Sequence, residues 1–191
     1  MSDAALHALP WEELEAGGSN GVLVADLCRQ FHECGFCILR LPDSLVDDIA
    51  ALREAAGGFF SLAPALKAEI GDFRRVADTY VGYRANAECH SEFLEMHLTP
   101  EGTAYPEHQI SPALAAASAA MHGLLSRMAR SLLCMLAGGL AVPAAAFLDP
   151  LDPASAAELP EGALTSSVLR LCHYHAPPGA ADAHENGVAA A

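Results

Sequence analysis

The sequence predicts an α+β fold, and three features carry that prediction. Long stretches repeat apolar residues at helical spacing, most clearly from Leu114 to Leu136. Short β-branched or aromatic runs stand between them, as in Phe36–Leu41. Thr165 to His175 alternates in the manner of a strand. At 191 residues and 52% hydrophobic residues the chain has material for a packed core and a prior of one domain.

Residues 1–20 form a polar lead-in ending in Gly17-Gly18-Ser19-Asn20, with Glu12, Glu13 and Glu15 on a solvated face. A helix is expected from Val22, with Val24, Leu27, Cys28, Phe31 and Cys34 on its apolar side and Gly35 as its C-terminal glycine. Phe36–Leu41 reads as a strand, and Pro42-Asp43-Ser44 as a turn in which Asp43 or Ser44 caps the next helix. That helix carries Leu45, Ile49, Leu52, Ala56, Phe59 and Phe60 on one stripe, and Pro64 opens a short helix through Ile70. Residues 71–90 read as irregular. Glu92–Leu98 reads as a strand with Phe93, Glu95 and His97 on one face, or as a helical turn. After a loop from Pro100 to Pro112, the longest helix runs to Gly138-Gly139. Residues 21–148 thus form a mainly helical region, 149–164 a linker, and 165–191 the opening strands of a further element.

Ten basic against 24 acidic residues give a net charge of −14. Such a balance excludes a nucleic-acid or anionic-membrane partner, since either needs a cationic surface. The N-terminus has neither a basic stretch nor an apolar block, so it is not a signal peptide. Ser131–Leu148 is uncharged, but Gly138-Gly139 and Pro143 interrupt it, and it reads as a buried helix, a turn and a short helix. The expected location is the cytoplasm. The six cysteines lack a secretory context, and Cys34-Gly-Phe-Cys37 lies between a helix and a strand, the reverse of the thioredoxin order. No second ligand pair at similar spacing accompanies it, so both cysteines read as small buried apolar residues.

The order of segments is similar to that of the plant-type Fe(II)/2-oxoglutarate-dependent oxygenases, the relatives of isopenicillin N synthase. A helix leads through Cys34-Gly35-Phe36 into a strand. A helix ending in Phe59-Phe60 follows, then Leu62 and, in Ala63-Pro64-Ala65-Leu66-Lys67, the family's lysine position. Val81-Gly82-Tyr83 resembles the family's Gly-Tyr step and Glu92 its Lys-Glu position. Gly139-Leu140-Ala141-Val142-Pro143 with Phe147 resembles a Leu-Gly-Leu-Pro passage, and Leu169–Tyr174 resembles the strand ending in Asn-Tyr-Tyr-Pro. The resemblance covers roughly residues 20–178. It implies N-terminal helices with a small sheet leading into an incomplete double-stranded β-helix (jelly roll), and an oxidoreductase using Fe(II), O₂ and 2-oxoglutarate on a small organic substrate. It also implies that Tyr174 contacts the co-substrate, with Cys172 where the family often has asparagine.

The chain departs from that pattern at the metal. The family's His-x-Asp occurs nowhere, and the nearest approach, His184-Glu185-Asn186, places an amide where a carboxylate belongs. No histidine follows His184 and no arginine follows Arg170, so the third ligand and the co-substrate arginine are missing. A jelly roll closes with about eight strands, and the segment from Thr165 on has room for about two or three. The expectation is therefore a fragment of an oxygenase, with an in-frame His-x-Asp encoded past codon 191. On its own the chain would bind neither iron nor 2-oxoglutarate and have no catalytic residue. His90 and Glu92, on one face if both are in a strand, and His173 and His175, flanking Tyr174, remain as potential chelating pairs. His184 reads as a solvated loop residue, and Arg170 as a strand-face charge. The alternatives are a non-catalytic module binding a protein partner through an exposed sheet edge, and a small metal protein using His90, Glu92, His173 and His175.

Overall fold

The computed structural model describes residues 6–15, 21–69, 73–76, 79–106 and 110–175. The fold is α+β, with helices packed on one face of a curled, five-stranded antiparallel sheet and a separate two-stranded parallel pair near the N-terminus. His184 and the rest of 176–191 lie outside the described residues, as do Ile70 and Gly17–Asn20.

Strand β1 (Ala8–Pro10) leads directly into helix α1 (Trp11–Glu15). The polar lead-in expected here is thus partly core: Leu9, Trp11 and Leu14 are buried, while Glu12, Glu13 and Glu15 are exposed as expected. A parallel partner, β2 (Ile38–Arg40), lies beside β1, with Leu9 opposite Leu39. Helix α2 (Gly21–Cys34) supplies the clamp between them. The buried Gln30 amide donates to the His7 carbonyl at 3.0 Å and accepts from the Ile38 N–H at 3.3 Å. Gly35, at φ +78°, ends this helix as predicted, its N–H bonded to the Phe31 carbonyl. Cys34 is exposed rather than buried, whereas Cys37 is partly buried.

Helix α3 (Asp43–Phe60) begins without the expected side-chain cap. Pro42 takes the cap position, and Asp43 is already helical. Its stripe Leu45, Ile49, Leu52, Ala56, Phe59 and Phe60 packs into the main core. The short α4 (Pro64–Glu69) follows. Helix α5 (Pro112–Gly139) is longer than its clearest periodic stretch. Ser111 caps it by accepting from the Leu114 N–H, and Pro112 sits at its first turn. α5 packs against α3, α2 and the sheet. At Gly139 the helices approach so closely that a Cβ would lie 2.3 Å from Cys28 Sγ. A short α6 (Ala145–Leu148) follows the turn, as expected. No helix among the described residues is long and apolar enough to cross a membrane.

The region predicted to be irregular holds strands β3 (Arg74–Val76) and β4 (Thr79–Asn86). Strand β5 (Ser91–Leu98) is the axis of the sheet. β4 pairs antiparallel along one of its edges. Along the other, β7 (Leu169–Tyr174) covers Ser91–Met96, and β6 (Ala104–Tyr105) covers His97–Leu98. Alternation gives β5 two faces. Leu94 and Met96 face the helices, opposite Leu171 and Leu169; Phe93 and Glu95 face the other way, opposite Cys172 and Arg170. The segment 149–164 is anchored to the start of the last strand. Asp152 accepts from the Ser166 and Ser167 N–H groups at 2.7 and 2.8 Å, and its carbonyl accepts from Arg130 at 2.9 Å.

Candidate functional site

At one end of the helix-facing side, four elements converge on a single carboxylate. Glu92 is the second residue of β5 and only 2% exposed. From α4 the buried Lys67 ammonium donates to Glu92 Oε2 at 2.5 Å and to the Phe60 carbonyl at 2.9 Å. The Tyr83 hydroxyl, from β4, donates to the same Oε2 at 2.6 Å. The register of β7 then puts His173 directly opposite Glu92, with Nδ1 2.9 Å from Oε1. His175, the first residue past β7, has its N–H bonded to the His90 carbonyl and brings Nε2 to 3.3 Å from Oε1. The two imidazoles are in edge contact, 4.5 Å between centroids, and the Phe60 ring lies 5.3 Å from that of His173.

Each Glu92 oxygen therefore has a distinct environment. Oε2 is occupied by Lys67 and Tyr83 inside the protein, while Oε1 faces two half-exposed histidines. Burial on its own raises the Glu92 pKa, but hydrogen bonds from His173, Lys67 and Tyr83, with the Lys67 charge, outweigh it and hold the carboxyl down at about 2. Tyr83 moves the opposite way: burial and the adjacent carboxylate push its hydroxyl well above the ordinary phenol range.

No protein-family model matches this chain, and none of the curated proteins matches it. What the site can do thus rests on its own geometry.

His90 does not join Glu92. β5 begins at Ser91, and His90 sits in the preceding turn at φ +46°, exposed. Its backbone carbonyl accepts from the His175 N–H at 2.7 Å, but its side chain has no strand face to share with Glu92. His173 and His175 point together, as their spacing suggests, and the strand pairing adds Glu92 to them. Tyr174 lies on the opposite face of β7, 73% exposed, beside Ser91 in register. Arg170 is a strand-face charge, paired with the buried Glu95 and stacked over Phe93 at 4.9 Å. His97 is buried by its own network, Nδ1 lying 2.7 Å from the Thr165 carbonyl and Nε2 2.9 Å from Thr79 Oγ1. Nothing in the sequence indicates that Lys67 and Tyr83 meet. The one signal available was that a chain with a single lysine places it in an apolar helix.

The depressed Glu92 pKa has a measurable consequence. A carboxylate with a folded pKa below its ordinary 4.5 stabilises the fold above that pH and loses this contribution as pH falls toward about 2. Urea unfolding at pH 5, 4, 3 and 2 should show a loss on the order of 3 kcal/mol from this group. In Glu92→Gln that part of the acid slope should be gone; an unchanged slope would place the titration elsewhere.

Proposed function

We propose that the chain is the helical and sheet-initiating part of a non-haem Fe(II)/2-oxoglutarate oxygenase acting on a small organic substrate, with its last strand opening a double-stranded β-helix. One observation supports this: segments that resemble the family separately in sequence meet at one point in space. Phe60, Lys67, Tyr83 and the strand Leu169–Tyr174 lie on four elements, α3, α4, β4 and β7, and touch or flank the carboxylate of Glu92 on a fifth, β5. Segments that share one buried ion pair have a physical reason to occur together and in order.

In this proposal the chain's own contribution is structural. The Lys67–Glu92 pair fixes α4 to β5, Tyr83 and His173 lock the neighbouring strands to the same carboxylate, and Tyr174 is presented on the opposite face of β7. Tyr174 would reach the 2-oxoglutarate carboxylate there. In the family that the chain resembles, iron is held by a His-x-Asp and a later histidine, a pattern the 191 residues do not contain. Two measurements test the proposal. The 191-residue chain with Fe(II), ascorbate, O₂ and 2-oxoglutarate should release no succinate above an iron-only control. Transcripts read past codon 191 should continue in frame into His-x-Asp. Stoichiometric succinate release, or a stop in the transcripts with no such codons beyond it, would overturn it.

A further inference from the structure

We propose that Glu92 Oε1, His173 Nδ1 and His175 Nε2 form a binding site for one divalent cation of the zinc class, separate from any His-x-Asp centre and independent of the oxygenase proposal. The three ligand atoms lie within 4.8 Å of one another. Tetrahedral Zn²⁺ with bonds of about 2.0–2.1 Å sets its ligand atoms roughly 3.3 Å apart. The carboxylate-to-imidazole distances are already 2.9 and 3.3 Å. A cation can therefore sit between these atoms once side-chain rotation brings the two imidazole nitrogens, within 4.8 Å of each other, to the same spacing.

Three features separate this cluster from a chance meeting of polar groups. The backbone is set by strand pairing and one further bond: Glu92 and His173 are directly opposed, and the His175 N–H, just past β7, is held by the His90 carbonyl at 2.7 Å. The carboxylate is oriented from behind, because Lys67 and Tyr83 occupy Oε2 and leave Oε1 to be presented as a single ligand. The imidazoles are 45% and 50% exposed, so a cation has an entry path and water can fill the remaining position. Two nitrogens and one oxygen suit zinc, cobalt, nickel or ferrous iron, and not calcium or magnesium, which take oxygen ligands. Lys67 acts against the cation, since its ammonium already neutralises the carboxylate. That opposition favours a metal with strong nitrogen affinity.

The test uses the full chain without a polyhistidine tag, dialysed against chelator and titrated with ZnCl₂ or CoCl₂. One equivalent should bind. The Co(II) form should show the intense visible bands of tetrahedral coordination without a thiolate charge-transfer band. The double variant His173→Ala, His175→Ala should bind at least about tenfold more weakly, while Cys172→Ser, on the opposite strand face, should bind as the parent does. Should the double variant fail to fold, imidazole ¹⁵N shifts of the parent chain on adding Zn(II) give the same answer: two histidines should respond, one through Nδ1 and one through Nε2. The absence of saturable uptake, uptake undiminished in the double variant, a thiolate band, or shifts confined to other histidines would overturn the site.

Discussion

Replacing Lys67 with methionine should cost about 3–5 kcal/mol of folding stability, the penalty for leaving a buried carboxylate without its counter-charge. The methionine fills a similar volume, so packing loss is minor and the electrostatic loss dominates. Lys67 is bonded to both the Phe60 carbonyl and Glu92 Oε2, so the change also removes the donor that ends α3 against α4. Part of the loss should be relieved by protonation of Glu92, whose pKa should rise when the ammonium is gone. Urea denaturation at pH 7 measures the effect. The double variant Lys67→Met, Glu92→Gln should lose less than the sum of the two single variants, because no unpaired charge is left inside. A loss below about 1 kcal/mol in Lys67→Met would mean that the pair is solvated.

Trp11→Ala should be comparably severe, at about 3–5 kcal/mol, for a different reason. Trp11 is 1% exposed and belongs to the main core with Leu9 and Leu14, so its removal leaves a large cavity. The same change undermines the β1–β2 pair, which is only three residues long and cannot persist without the packing behind it. Because Trp11 is the chain's one tryptophan, unfolding is best followed by far-ultraviolet circular dichroism. Trp11→Phe should retain most of the stability, since the indole N–H has no hydrogen-bond partner among the described residues. Little change in Trp11→Ala would show that residues 8–15 are not docked.

How far the sequence revealed the fold depended on how each element is buried. Helices α2, α3 and α5 bury one stripe, and a one-sided stripe is written in the sequence as a 3.6-residue period. Strand β4 was hidden because Gly82 interrupts it and Arg84 and Asn86 leave its second half without an apolar period. Its place comes from pairing with β5 and from Phe73, Tyr80 and Phe93 packed on the outer face. β1 has three residues, too few for any period, so Leu9 and Trp11 looked like part of a polar tail. The expected cap at Asp43 or Ser44 gave way because Pro42 already has the extended backbone that the position needs.

The stripes of α2, α3 and α5, the strand character of Thr165–His175, the shared direction of His173 and His175 and the lack of a His-x-Asp motif are readable from residue order alone, whereas Glu92–Leu98 left strand and helical turn open. Which groups meet is set by strand register and packing. Glu92 lies 25 residues from Lys67 and 81 from His173, separations over which local propensity carries no information. Their meeting is a matter of strand register, and a slip of one residue would turn His173 and His175 to the outer face and Tyr174 toward Glu92. The same register excluded His90, which the spacing alone had placed beside Glu92. His90 lies in the turn before β5 at φ +46°, off the extended backbone whose alternation would have set it beside Glu92.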